Sequence, residues 1–393
     1  MPEVIYFDNN ATTRLAPEAL EAMQPYLTEF YGNPSSIHRF GQEVKKVVEE
    51  AREQVARLMN AHPREIVFTG SGTEANNLAI KGAASLLQKN GRHLITSSIE
   101  HPAVLKTCQY LEKVGFQVTY LPVDRYGMVD PEEVRKSITP ETILITLMHS
   151  NNEVGTIQPV QEISQIARAH GILFHTDAIQ SIGKIPVDVR SLGVDFLSIS
   201  AHKIYGPKGV GALFIKEGTL IEPLHHGGHH ELNRRAGTEN VSGIVGFGKA
   251  SELALEELLK NPERAKPLRD YFWEKIQQGI DHVHLNGHPT KRLPNTLNVT
   301  FEFIEGESLV INLDLFGIAT STGSACTSGA LEPSHVLLAM GVPVLQAQGS
   351  LRLSIGRDTT QEEVDQTVEV LKETVHRLRS MSPLYADLKV KRR

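Results

Sequence analysis

Cysteine is scarce in this 393-residue chain, which has two, Cys108 and Cys326. So few argue against a disulfide-stapled secreted scaffold and lead us to expect a reducing, cytoplasmic compartment. No apolar run approaches the ~20 residues of a membrane-spanning helix, so no membrane association is expected. The start, Met1-Pro2-Glu3-Val4-Ile5-Tyr6, has neither the basic segment nor the apolar core of a secretory signal. Basic residues do not predominate: 40 Lys and Arg stand against 46 Asp and Glu, a formal charge of −6. That balance excludes a general nucleic-acid binder, whose affinity rests on a basic surface. Internal repeats and low-complexity segments are absent. The basic end Lys389-Val390-Lys391-Arg392-Arg393 reads as a solvated charge run.

What is present is an ordinary globular balance, 40% hydrophobic and 22% charged, over a length that suits two domains. A chain of this size buries a large core without disulfides or structural metals. Apolar strand-length runs are expected at 65–69, 93–97, 117–121, 142–148, 172–176, 194–200 and 210–215. Amphipathic helices are expected at 16–30, 43–59, 73–88, 103–114 and 160–169. Strands that are apolar throughout, separated by helices, predict an α/β fold with a mainly parallel sheet covered on both faces. A long helical stretch, 239–280, follows, with a break near Asn261-Pro262. Then come a strand at 296–301, a helix at 307–316, a strand at 350–355 and a last helix to about 379. We therefore expect a large domain over 16–250, and a small α+β domain from 1–15 and 251–393.

In such a sheet ligands bind outside the carboxyl ends of the strands. After the first strand comes Gly70-Ser71-Gly72-Thr73-Glu74-Ala75-Asn76-Asn77, a small-residue turn opening a helix. Free amides at a helix start favour a phosphate, although ordinary capping uses the same residues. The turn matches neither the P-loop nor the dinucleotide fingerprint. A second strand ends in Asp177, with Gln180 close behind. This carboxylate suits either a cationic ring nitrogen or a helix cap. A third ends in Ser200-Ala201-His202-Lys203 before a glycine-rich turn. A partly desolvated lysine there is suited to a Schiff base, whereas a lone loop lysine is normally a solvated charge. Together the three meet the requirements of pyridoxal phosphate. His101 and Asn152 follow two further strand ends and fit as a ring-stacking proton shuttle and a polar contact. Cys108 falls in a helical pattern and reads as packed. Cys326 sits in Thr322-Gly323-Ser324-Ala325-Cys326-Thr327-Ser328-Gly329, too small to build core, so a mobile loop with a working thiol is expected.

These residues carry a resemblance. Asp8-Asn9-Asn10-Ala11-Thr12-Thr13, Tyr31-Gly32-Asn33-Pro34-Ser35-Ser36, Gly72-Thr73-Glu74, His175-Thr176-Asp177-Ala178, Ser200-Ala201-His202-Lys203, Arg235-Ala236-Gly237-Thr238-Glu239-Asn240, Ser324-Ala325-Cys326 and Ser350-Leu351-Arg352-Leu353-Ser354 run nearly end to end. The chain resembles the NifS/IscS-type cysteine desulfurases, a class-V aminotransferase group of fold type I, the aspartate aminotransferase-like enzymes. The resemblance implies a Schiff base on Lys203, Asp177 at the pyridine nitrogen, His101 on the ring and Gln180 at the ring hydroxyl. Gly72, Thr73, Ser200, Ala201 and His202 would line the phosphate side, joined by Thr238 from the partner of a homodimer. Asn152, Arg352 and Asn33 would bind substrate. Cys326 would attack the sulfur of L-cysteine, giving a persulfide and L-alanine, with the sulfur passed to acceptors such as an iron–sulfur scaffold. Selenocysteine lysis, transamination, or a non-catalytic thiol or metal-binding scaffold are the alternatives, and the Cys326 loop separates sulfur transfer from the other enzymes. The run His225-His226-Gly227-Gly228-His229-His230 looks like metal ligands, but its Gly-Gly interruption spoils a helical ligand face, so no metal is expected.

Overall fold

The structure, a computed structural model, describes residues 4–261, 264–322 and 333–386. Cys326, expected on a loop, lies outside them. Strands in chain order are β1 (Ile5–Tyr6), β2 (Ile66–Thr69), β3 (His93–Ser97), β4 (Gln117–Leu121), β5 (Thr142–Met148), β6 (Leu173–Asp177), β7 (Phe196–Ser200), β8 (Gly211–Ile215), β9 (Val283–Leu285), β10 (Thr296–Phe301), β11 (Ile318–Ala319) and β12 (Ser350–Ser354).

The main sheet has seven strands in the order β2-β8-β7-β6-β5-β3-β4. Its middle strands are buried almost throughout because both faces are covered, and β5 (Thr-Ile-Leu-Ile-Thr-Leu-Met) is buried at every position. From β4 to β7 the pairing is parallel. Only β8 runs antiparallel, to β7 on one side and β2 on the other. Two reversals restore the direction, so β2 ends on the same rim as β5, β6 and β7. One face packs Val48, Val55, Phe68, Ile163 and Phe247; the other packs Leu78, Ala79, Val104 and Cys108. Cys108 is fully buried, and burial pushes its thiol up to about 12, so it stays a neutral packing group.

A second sheet, β12-β10-β9, is antiparallel, and β1 pairs in parallel with β11 beside it. Phe7, Phe272, Val299, Phe301, Leu351 and Leu371 share the core on this side. The expected helix 16–30 is two pieces, Pro17–Met23 and Pro25–Thr28, because Pro25 has no amide to continue the ladder. The long helical stretch divides into Val241–Lys260 and Ala265–Gly279, on either side of the expected break. Residue 250 lies inside the first of these, which packs along the helix Arg39–Leu58. No described helix is long and apolar enough to cross a membrane.

Candidate active site

The strand ends converge. Gly72, Thr73, His101, Asn152, Asp177, Gln180, Ser200, His202, Lys203 and Arg352 all line one cavity of about 320 Å3, together with Asn10, Ala11, Ser71 and Asn76. That volume is at the lower end of small-molecule sites, roughly 300–1,000 Å3.

At one end the helix Gly72–Leu87 begins. Ser71 caps it, its Oγ accepting from the Glu74 amide at 3.1 Å, which leaves the first-turn amides of Gly72 and Thr73 ahead of the helical ladder. Gly72 has no room for a side chain, since an added Cβ would meet Ile179 Cδ1 at 2.3 Å and Ser200 Cβ at 3.3 Å. His202 closes this end, its Nδ1 3.1 Å from Thr12 Oγ1. Burial, then Lys203, Lys208 and Lys184, hold its imidazole down at about 4, so it is neutral.

Asp177 terminates β6. Its Oδ1 accepts from the Ile179 amide at 3.0 Å and its Oδ2 from Asn76 Nδ2 at 2.7 Å. Burial raises this carboxyl above its ordinary value, against the pull of His101, the two hydrogen bonds and Lys203. A buried carboxylate held by neutral donors is matched by a cation, and a protonated ring nitrogen supplies one. Lys203 Nζ donates to the carbonyls of Asn10 and Ala11, both at 2.6 Å. Gln180 Nε2 donates to Asn10 O at 2.9 Å while its Oε1 accepts from Lys184 Nζ at 2.8 Å.

His101 caps the helix Pro102–Lys113, with Nδ1 accepting from the Ala103 amide at 3.1 Å. Burial, aided by Lys203 and His335 and opposed by Asp177, lowers its basicity. A neutral imidazole that accepts at Nδ1 carries its proton on Nε2. Arg352, in the middle of β12, is 3% exposed; its Nη2 donates to Asp8 Oδ1 at 2.7 Å and its Nη1 to Asn152 O at 3.2 Å. Asn76 Oδ1 and Arg352 Nε are buried without a hydrogen-bond partner among the described residues. Orphaned polar atoms in a cavity with this donor set fit a polar, anionic ligand with a heterocyclic ring.

Three expected residues do not line this cavity. Asn33 is exposed, its Oδ1 accepting from the Ser35 amide at 2.8 Å. Thr238 is exposed on the turn 235–240, which Arg235 ties to Glu74 at 2.9 Å. Ala201 is buried beneath the rim. The histidine run is dispersed: His225 lies 3.4 Å from Glu74, His229 2.6 Å from Asn233 Oδ1, and His230 accepts from the Gly237 amide at 3.2 Å. Among the described residues no three potential ligands form a group that could hold a metal ion. The structure adds Asn10, Asn76 and Lys184, which the sequence reading did not single out. Asn76 had a signal, one helical turn beyond Thr73. Asn10 accepts from Lys203 and Gln180 at its carbonyl, while its side chain donates to Asn152 O at 3.2 Å and accepts from Lys184 Nζ at 3.2 Å; the motif that holds it does not follow a strand of the main sheet.

A profile of the family described as Aminotransferase class-V matches residues 5–367. The chain belongs to the class-V aminotransferase family. It is 54% identical over all 393 residues to the cysteine desulfurase IscS of Dictyoglomus turgidum, covering the whole of both chains. With the IscS of Methanosarcina thermophila it shares 55% identity over 382 residues, 97% of this chain and 94% of the other. Among solved structures, a NifS-like protein superposes with a TM-score of 0.90 at 42% identity, covering 96% of this chain and 100% of that one. SspA in complex with cysteine gives 0.80 at 40%, covering 89% and 98%. Class-V aminotransferases of this kind use pyridoxal phosphate carried by a lysine, and the fold is that of fold type I.

Proposed function

We propose that this class-V aminotransferase is a cysteine desulfurase, converting L-cysteine to L-alanine and delivering the sulfur through a persulfide on Cys326. One observation carries the reading: a helix start, a buried acid, a lysine and a buried arginine meet in one cavity. Relatives named cysteine desulfurase match at 50–55% identity over nearly the whole chain, which supports it.

Gly72, Thr73, Ser200 and His202 would hold the cofactor's phosphate, Asp177 its ring nitrogen and Gln180 its ring hydroxyl, with His101 and Ala201 completing the cofactor residues. Bound there, pyridoxal phosphate supplies an electron sink that weakens bonds around the substrate's α-carbon. Lys203 Nζ is the attachment point and moves protons at that carbon. Arg352 offers a planar fork to the substrate carboxylate, with Asn152 as a polar contact in the same cavity. His101, with its proton on Nε2, donates at the substrate. Cys326 Sγ attacks the substrate sulfur: an S–S bond forms, the Cβ–S bond breaks, and the pair left on Cβ takes a proton as alanine forms. A sulfur acceptor, such as an iron–sulfur scaffold, then removes the terminal sulfur.

The reading includes a cytoplasmic homodimer in which Thr238 reaches the partner's phosphate site. Exposed apolar side chains along residues 27–37 support a covered face, since Ile37 is 96% and Tyr31 78% exposed, and Leu27 and Phe30 are exposed too. It also assigns the cofactor to a domain of residues 16–250, and the Cys326 loop to a smaller one built from 1–15 and 251–393. Two variants test the chemistry. Lys203→Ala is expected to lose the visible absorption band of lysine-bound cofactor. Cys326→Ala is expected to keep the band and release no sulfide from L-cysteine. Undiminished sulfide release by Cys326→Ala would sink the nucleophile assignment.

A further inference from the structure

Arg352 raises a question of charge. A guanidinium 3% exposed must be paired, because an uncompensated buried charge costs several kcal/mol. The carboxylate that pairs it is Asp8, in the turn between β1 and the cavity. The contact is one-sided: Nη2 meets Asp8 Oδ1 at 2.7 Å, while Nε, which shares the same face of the fork, has no partner among the described residues. Bidentate carboxylate recognition uses two adjacent donors of the fork. Asp8 therefore satisfies the charge and occupies half of the face that a substrate carboxylate needs.

The backbone around Asp8 is fixed on both sides. Phe7 N donates to Ala319 O at 2.9 Å, Ser354 N to Phe7 O at 2.7 Å, and Asn10 N to Ser354 Oγ at 2.9 Å. Ala11 N closes the turn onto Asp8 O at 3.0 Å. With the main chain held, only the Asp8 side chain is left to move. It is 20% exposed, so a rotated carboxylate has water to enter, whereas the arginine has none.

We propose that Asp8 is an internal stand-in for the substrate carboxylate, pairing Arg352 in the unliganded protein and yielding to an amino-acid carboxylate on binding. One carboxylate replaces another at the guanidinium, so the buried charge is never left alone. The exchange favours an incoming group that engages both Nε and Nη2 over one that makes a single contact. Asp8 thereby sets affinity and selectivity through Arg352, as a positioning residue. The inference rests on the reading of Arg352 as the carboxylate-binding residue.

The test uses holoenzyme and L-alanine, which has the carboxylate but no sulfur to lose, with affinity measured by calorimetry. Removing the competitor in Asp8→Asn is expected to tighten L-alanine binding about tenfold. The same variant should lower KM for L-cysteine by a similar factor, hold kcat within about twofold, and lower the unliganded melting temperature. Asp8→Ser should do the same and serves if Asp8→Asn fails to fold. Asp8→Glu, which restores the charge, should return the affinity to within about threefold of the parent. Unchanged or weaker L-alanine binding in folded Asp8→Asn or Asp8→Ser overturns the proposal, including where stability alone falls. Arg352→Gln separates this from the reading beneath it. Lost L-alanine binding there keeps Arg352 as the carboxylate site whatever the Asp8 result, and retained binding overturns both.

Discussion

Glu100 and His101 are neighbours in sequence, and burial moves them in opposite directions along the pH scale. The Glu100 carboxyl is fully buried and pushed up to about 8, despite hydrogen bonds to its Oε1 from Ser97 Oγ at 2.6 Å and the Met148 amide at 3.0 Å. Its Oε2 has no partner among the described residues. The neutral acid is thus the folded form, while the unfolded chain ionises near the ordinary value of 4.5. A raised folded-state pKa contributes stability that is present below 4.5 and lost as pH rises toward 8. Glu100→Gln keeps an acceptor and cannot ionise. Its amide takes the place of the acid's own unpartnered O–H, so we expect it to match the parent within about 1 kcal/mol at pH 5. As pH rises to 8 the parent loses stability that the variant keeps, by up to about 1.4 kcal/mol per pH unit, so the variant should become the more stable of the two. Thermal melts at pH 5 and 8 check this, and a constant gap counts against a protonated Glu100.

At the scale of elements, the site is a product of parallel topology: β2, β5, β6 and β7 deliver their ends to one rim, and the helix Gly72–Leu87 starts there. A Cβ at Gly72 would have to displace the end of the Ile179 side chain and press on Ser200. Gly72→Ala is expected to weaken pyridoxal phosphate binding at least tenfold in a spectroscopic titration, and to cost about 1–3 kcal/mol from overpacking. Most strands of the main sheet were legible, some to the residue. β3, β4, β5 and β10 fall at the expected residues, because apolar runs bounded by turns leave little choice of boundary. The pieces not foreseen are short or polar. β1 and β11 are two residues each, and the helix Pro131–Ser137 is short and almost wholly polar, with Val134 its one buried residue. Within the cavity, residues directly after strands were readable from position. Asn10 was not, because it arrives from the N-terminal turn and not from the end of a main-sheet strand. Asn33 and Thr238 entered only by resemblance and lie away from the cavity of this chain, which is why they belong with the homodimer proposal.

At the scale of the whole molecule, residues from both sheets and from the N-terminal turn meet around Lys203, Asn10 and Arg352. The N-terminal turn passes from β1 into the cavity, and Arg352 reaches it from the second sheet. Light scattering is expected to give twice the chain mass of 43.4 kDa, and a monomer mass would remove the support for Thr238 acting across an interface. The chemical claim has a more direct test. Holoenzyme incubated with L-cysteine and a reductant, with alanine and sulfide measured in the same sample, should give the two in equal amounts. Pyruvate and ammonia in place of alanine would contradict it.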